Sequence, residues 1–178
     1  MISFSAGPWR FHLRAAAVIR DGDFVLLHRV GSDPFWALPG GRVELGETAE
    51  AAVRREMREE LDSEVEVGPL MLLLENLYSY RDRPQHGVEL YFPVRLPAGS
   101  ALRDKTATFE RQELSGGLNG EAPTPVRLEF RWFHATELAA LDLRPAALAD
   151  LLSTPPGTLQ HRVHDGQPLR DLPAPARP

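Results

Sequence analysis

The stretch GRVELGETAEAAVRREMREELDS, residues 41–63, decides how this chain is interpreted. Its second half consists mostly of strong helix formers and predicts a helix over Thr48–Leu61. Thr48 is a suitable N-cap, and Glu50 suits the positive end of the helix dipole. One side of this helix carries an apolar stripe made of Ala49, Val53, Met57 and Leu61. The stripe recurs every four residues, so this side is expected to pack on a core.

The same helix carries three acidic residues at steps of three and four. Glu56, Glu59 and Glu60 would lie on adjacent parts of one face. At about 5 Å and an effective dielectric constant near 20, two such carboxylates repel by roughly 3 kcal/mol. Arginines, protons or bound cations must offset that repulsion, and clustered carboxylate oxygens suit Mg²⁺ or Mn²⁺.

A helix of mixed acids and arginines has a simpler interpretation. Arg54, Arg55 and Arg58 could pair with the glutamates on a solvated, salt-bridged face. Taken alone, the helix favours a solvated face with salt bridges. The loop before the helix reverses that interpretation.

The helix and the loop before it together resemble the signature box of the Nudix (MutT-like) hydrolases. The residues that carry the resemblance are Gly41, Glu47, Arg55-Glu56, Met57 and Glu59-Glu60. The upstream flank Trp36-Ala37-Leu38-Pro39-Gly40 is also typical of that family. Asp62 departs from the usual glycine, and Ser63 from the usual aliphatic residue. Because aspartate tolerates the left-handed conformation that ends a helix, a local adjustment is expected at Asp62, with the chemistry intact.

The resemblance implies a magnesium-dependent pyrophosphohydrolase. By this resemblance Glu56, Glu59 and Glu60, with the carbonyl of Gly41, would bind Mg²⁺ (or Mn²⁺) and act in catalysis. Arg55 would also act in catalysis. Glu47 and Gly40 would shape the loop. The bound ion would activate a water that attacks phosphorus.

The implied substrate is a nucleoside diphosphate linked to another moiety. A nucleoside triphosphate, a dinucleoside polyphosphate and a nucleotide sugar all fit this description. The alternative is a catalytically silent nucleotide-binding or regulatory Nudix module, and the three retained helix glutamates argue against it. A cysteine-dependent isomerase on the same scaffold is disfavoured, since the chain has no cysteine.

In this family a carboxylate outside the box often serves as a general base or further metal ligand. The sequence offers Glu110, Glu113, Glu121 and Glu129, and nothing in it distinguishes one of them.

Four other residues are candidates for substrate contacts: Arg29, Trp36, Tyr78 and Tyr80. An exposed salt bridge is an equal alternative for Arg29, and core packing is the better one for Trp36. The two tyrosines follow Asp62 by 16 and 18 residues, a spacing similar to that in the family's dinucleoside polyphosphate hydrolases.

The remaining patterns predict an α/β fold, a Nudix-type α/β/α sandwich with a mixed β-sheet. The predicted strands are a hairpin of Phe11–Ile19 and Phe24–Val30, then segments within Glu64–Tyr80, Gly87–Leu96 and Val126–Phe133. The apolar run 70–74 is predicted as a buried strand or part of a dimer interface. Two short helices are expected over 135–141 and 145–152. Residues 97–125 read as a long loop or small insertion, with specificity expected in 81–88 and 98–125. A single domain is predicted for 1–152, followed by an extended or disordered proline-rich tail over 153–178.

Composition limits the other possibilities. The chain has no cysteine and a formal net charge of −5, which exclude disulfides and a general attraction to nucleic acid or anionic membranes. No signal peptide or membrane helix is indicated. The sequence therefore predicts a cytoplasmic protein whose partner is a small nucleotide-like diphosphate. It leaves a homodimer open.

Overall fold

The computed structural model describes residues 1–80, 82–115, 124–153 and 159–166. Within them the strands are β1 Ser3–Ala6, β2 Trp9–Asp21, β3 Phe24–Val30, β4 Gly40–Arg42, β5 Glu66–Val67, β6 Leu72–Tyr80, β7 Arg83–Arg95, β8 Thr108–Ser115, β9 Thr124–His134 and β10 Gln160–Asp165. The helices are α1 Ala49–Leu61 and α2 Leu148–Ser153, with 3₁₀ helices at Ala101–Arg103 and Ala135–Ala140.

The strands form one mixed sheet in the order β10-β6-β7-β2-β3-β9-β8, with β1 and β4 also pairing with β2. Pairings of β2 with β7 and of β6 with β10 are parallel. The predicted hairpin is present where Asp21 pairs with Phe24. The α/β fold with a mixed sheet is therefore confirmed.

Alternate residues of β2 enter two different cores. Ala15, Ala17 and Ile19 pack with the apolar stripe of α1 on one face. Ala16 and Val18 pack with α2 and its flanking segments on the other face. This period of two is the reason that a nearly continuous apolar run fits a strand covered on both sides.

The prediction of a long loop over 97–125 is wrong. Thr108–Ser115 forms β8, which pairs with β9 along its whole length, and β9 itself begins at Thr124. The strand was missed because β8 is mostly polar, so its sequence lacks the apolar alternation of a half-buried strand. Similarly, β7 already begins at Arg83, inside the predicted loop 81–88. Residues 116–123 and Arg81 lie outside the described residues.

Part of the predicted tail belongs to the sheet. Strand β10 lies beyond residue 152 and pairs in parallel with β6, from Gln160 opposite Leu72 to Asp165 opposite Leu77. Residues 154–158 and 167–178 lie outside the described part of the chain. Across the described residues, no helix is long and apolar enough to cross a membrane.

Candidate active site

Helix α1 presents its acidic residues at the edge of its apolar stripe. Thr48 Oγ1 accepts a hydrogen bond from Ala51 N at 3.1 Å, which caps the first turn as predicted. At the other end, Asp62 has φ 49° and ψ 43°, the expected left-handed conformation. Between these caps Glu56 and Glu60 are buried, at 5% and 2% exposure. Glu56 and Glu60 therefore border the core and are shielded from water, whereas about half of the Glu59 side chain is exposed.

Arg55 connects three of the carboxylates. Its Nε donates to Glu47 Oε1 at 2.9 Å, and its Nη1 donates to Glu56 Oε1 at 2.8 Å and to Glu59 Oε2 at 2.9 Å. Its Nη2 donates to the carbonyl of Arg42 at 3.1 Å. Charge-assisted bonds of this kind fix the carboxylate rotamers and offset their mutual repulsion. The pairing with Arg55 also lowers the pKa of Glu47.

The two glycines before α1 are in contact with its buried carboxylates. Gly40 N donates to Glu60 Oε2 at 3.2 Å. Gly40 has φ 134°, and a Cβ there would overlap the backbone of Ala15 in β2. A Cβ at Gly41 would overlap the Glu56 carboxylate. Only glycine therefore allows the loop to lie against both carboxyl groups.

Glu60 is placed beside a buried histidine. His28 Nδ1 lies 3.8 Å from Glu60 Oε1 and has no hydrogen-bond partner among the described residues. Burial, with the nearby charge of Arg14, lowers the pKa of His28 to about 3, so its imidazole is neutral at neutral pH. Burial, and secondarily the charge of Glu56, raises the pKa of Glu60 well above its usual range.

Among the described candidates outside the box, Glu113 on β8 is the one that interacts with the acidic helix. Burial, followed by the charges of Glu56 and Glu59, raises its pKa, and β8 is in contact with α1. The other candidates are occupied elsewhere: Glu129 pairs with Arg29 at 2.7 Å, and Glu110 pairs with Arg127. Glu121 lies outside the described residues.

The donor set has the right chemistry for a divalent cation. Glu56, Glu59, Glu60 and Glu113 supply hard oxygen atoms, which Mg²⁺ prefers. In the described part of the chain, however, no three acidic or histidine side chains lie close enough together to hold one ion as they are placed. Arg55 pairs with one oxygen of Glu56 and one of Glu59, and the second oxygen of each carboxylate stays available to a cation.

Arg14 is a site residue that the sequence reasoning missed. Burial raises the pKa of Glu56, Glu60 and Glu113, and the positive charge of Arg14 offsets part of each rise. Its Nη2 donates to the carbonyl of Leu38 at 3.1 Å. The available signal was the alternation of Arg10, His12 and Arg14 just before the alanine run of β2, which puts all three on one face.

The four residues predicted to contact the substrate lie in different environments. Arg29 pairs with Glu129 and lies 4.8 Å from the Trp36 ring centroid, and Trp36 is buried. Arg29 thus forms a salt bridge and Trp36 packs in the core, which are the alternatives that the sequence offered for these two residues. Tyr78 is half-buried near Arg14, and burial raises its pKa to about 12. Tyr80 is exposed at the end of β6.

Comparisons with known proteins agree with this geometry. The sequence profile described as NUDIX domain matches residues 10–152. A MutT-like protein from Streptomyces ambofaciens is 37% identical over 81 residues, covering 42% of this chain and 53% of that protein. The 8-oxo-dGDP phosphatase NUDT18 from Homo sapiens is 33% identical over 105 residues, covering 59% of this chain and 30% of that protein. The matched part of the chain thus spans about half, or less, of the length of these curated relatives.

A solved structure shows the same fold. The NUDIX hydrolase from Nitrosomonas europaea superimposes with a TM-score of 0.56 at 18% identity, covering 86% of this chain and 78% of that one. At this identity the likeness concerns the arrangement of helices and strands.

Proposed function

This chain belongs to the Nudix family, and from that premise we propose that it is a Mg²⁺-dependent (or Mn²⁺-dependent) pyrophosphohydrolase. Its substrate would be a nucleoside diphosphate linked to another moiety: a nucleoside triphosphate, a dinucleoside polyphosphate or a nucleotide sugar. The reaction would cleave a phosphoanhydride bond by attack of water on phosphorus.

One observation carries the proposal. A single guanidinium, that of Arg55, holds Glu47, Glu56 and Glu59 through bonds of 2.8–3.1 Å, and the buried Glu60 is held by Gly40 N one turn away. Burying carboxylates this close together is costly unless a cation offsets their charge. An arrangement that keeps them as a preassembled set is what a metal–diphosphate complex needs.

Glu56, Glu59 and Glu60, with the carbonyl of Gly41, would hold the metal. When bound, the ion would neutralise diphosphate oxygens and lower the pKa of a coordinated water. Glu113 would accept the proton of that water, because burial and its acidic neighbours raise its pKa and so make it a stronger proton acceptor than an ordinary glutamate. Arg55 would keep Glu56 ionised and fix its rotamer.

The test is hydrolysis of a nucleotide panel with and without Mg²⁺ by the wild type, Glu59→Gln and Glu50→Gln. The panel contains nucleoside triphosphates and diphosphates with their 8-oxo forms, ADP-ribose, sugar nucleotides and dinucleoside polyphosphates. Glu50 is the matched control, since it lies on the same helix and pairs with Arg54 at the surface. We expect Mg²⁺-dependent turnover that falls at least about a hundredfold in Glu59→Gln and stays unchanged in Glu50→Gln.

One observation favours the second candidate, a silent binding module. As the described side chains are placed, no three acidic or histidine groups lie close enough to hold one ion, and Arg55 already pairs with one oxygen each of Glu56 and Glu59. Titration with Mn²⁺ followed by electron paramagnetic resonance separates the two candidates. Metal binding with turnover supports the hydrolase, whereas a folded protein that neither binds Mn²⁺ nor turns over any substrate supports the silent module. A cytoplasmic location and a homodimer stay predictions from the sequence.

A further inference from the structure

A second group of charged residues lies beside the acidic cluster. Arg10, His12 and Arg14 alternate along β2 and therefore point to one face of the sheet. In the adjacent strand β4, Arg42 pairs in register with Arg14, so its side chain points to the same face. We call these four residues the basic cluster.

Among the described residues, the arginines of the basic cluster form no ion pair with a carboxylate. Arg10 Nε donates to Ser3 Oγ at 2.9 Å, Arg14 Nη2 donates to the Leu38 carbonyl at 3.1 Å, and Arg42 Nη1 lies 3.4 Å from the sulfur of Met1. The ion pairs found among the described residues include none of the three. In a chain with 25 acidic residues and a net charge of −5, three arginines on one face that form no ion pair with a described residue are unusual.

The basic cluster is also electrostatically crowded. Burial, together with the charges of Arg14 and Arg10, lowers the pKa of Arg42. Burial and the same arginines lower the pKa of His12 to about 4, so this histidine adds no charge near neutral pH. Like charges directly opposite each other on neighbouring strands destabilise a sheet. A bound anion would remove that cost.

The position of the basic cluster suggests which anion. Hydrogen bonds connect the basic cluster to the glycine loop of the acidic helix: Arg14 Nη2 donates to the carbonyl of Leu38, two residues before the Gly40 N that binds Glu60, and the carbonyl of Arg42 accepts from Arg55 Nη2. At the other end of the cluster, the His12 ring lies 6.1 Å from the Tyr78 ring. A substrate chain that passes from the acidic cluster over the glycine loop would meet the guanidinium groups of Arg14 and Arg42 next. Their planar forks match phosphate oxygens in a bidentate manner.

We propose that the basic cluster, with Arg14 and Arg42 at its centre, binds the phosphates of the substrate that lie beyond the bond being cut. The preferred substrate class is then one with three or more contiguous phosphates, such as a nucleoside triphosphate or a dinucleoside polyphosphate. A diphosphate capped by a neutral sugar would leave the guanidinium charges uncompensated and bind less well. This inference rests on the proposed function and narrows its substrate.

The test uses the full chain in metal-free buffer and two inorganic probes, tripolyphosphate and pyrophosphate, titrated by calorimetry. The wild type is expected to bind tripolyphosphate at least tenfold more tightly than pyrophosphate, a difference of about 1.4 kcal/mol. Arg14→Gln and Arg42→Gln should each weaken tripolyphosphate binding about tenfold or more and reduce the preference. Arg14→Lys should recover part of the affinity, since it keeps the charge and loses the fork.

Arg95→Gln is the matched control, because Arg95 is 81% exposed and pairs with Glu66 at the surface. Thermal unfolding of each variant verifies the fold before titration. Equal wild-type affinity for the two probes, or loss of binding to the same extent in Arg95→Gln, would overturn the inference. Because no metal is present, the outcome is independent of turnover. Absence of hydrolysis across the nucleotide panel would overturn the hydrolase and leave a measured tripolyphosphate preference standing.

Discussion

Replacing Arg55 with glutamine is expected to destabilise the metal-free protein by about 2–4 kcal/mol at neutral pH. Hydrogen bonds to charged groups contribute roughly 1.5–3 kcal/mol each, and Arg55 donates to three carboxylates. Glu56 accounts for most of the loss, because its side chain is only 7% exposed and would be left charged without a partner. Glu59 adds little, since half of its side chain is in water. Because 22% of the Arg55 side chain is exposed, the loss of unfolding free energy stays below that expected for a fully buried ion pair.

The assay is urea unfolding at pH 7 and pH 4, with Arg58→Gln as the control on the same helix. Arg58 pairs with Glu64 at the surface, so its loss should be about 1 kcal/mol or less. Arg55 lowers the pKa of Glu47, so this pairing stabilises the fold above the ordinary pKa of a glutamate. That contribution disappears as the pH falls through the lowered value, and the gap between wild type and Arg55→Gln should narrow in acid. Equal losses in the two variants at pH 7 would refute the role of Arg55 as the cation that offsets the acidic helix.

Three further predictions concern the glycine loop, the buried carboxyl group and the last strand. Gly41→Ala should cost about 1–3 kcal/mol in urea unfolding, because its Cβ would overlap the Glu56 carboxylate. A Cβ at Gly99 would enter open space, so Gly99→Ala should cost under about 0.5 kcal/mol. Equal losses of stability in the two variants would contradict the close approach of Gly41 to Glu56. Glu60→Gln should stabilise the metal-free protein at pH 8 by about 1–3 kcal/mol, since burial raises the pKa of Glu60 and its ionised form opposes folding. That gain should vanish near pH 4, where the carboxyl is mostly protonated in both the folded and the unfolded state. A Glu60→Gln variant that is less stable than the wild type at pH 8 would contradict the claim that ionised Glu60 opposes folding. Hydrogen exchange should find protected amides within Gln160–Asp165, and unprotected exchange throughout would mean that β10 does not pair with β6.

The α1 unit was predictable almost residue by residue. The Thr48 cap, the apolar stripe and the left-handed Asp62 follow from neighbours within four or five positions. Such short-range features depend little on the rest of the chain. The close approach of Gly40 to the backbone of Ala15 and of Gly41 to the Glu56 carboxylate is a longer-range feature that the tertiary structure shows.

Strands β8 and β10 could not be predicted from local sequence patterns. Both are largely polar, so their sequences carry no hydrophobic period from which a strand could be predicted. Each is extended because a neighbouring strand offers unpaired backbone groups, β9 in one case and β6 in the other. Strand propensity depends on such context more than helix propensity does.

The sequence by itself therefore determined the α/β class, the acidic helix and its glycine loop, because these rest on local spacing. Tertiary structure alone decided which distant groups join them. The charges of Glu113 on β8 and of Arg14 on β2 both act on the acidic cluster, and strand pairings that no local pattern encodes bring these two strands to it. Tertiary structure also decided that Arg29 and Glu129, 100 positions apart, pair with each other. Electrostatic neighbours at a site are set by the register of the sheet, and register is fixed only when the strands meet.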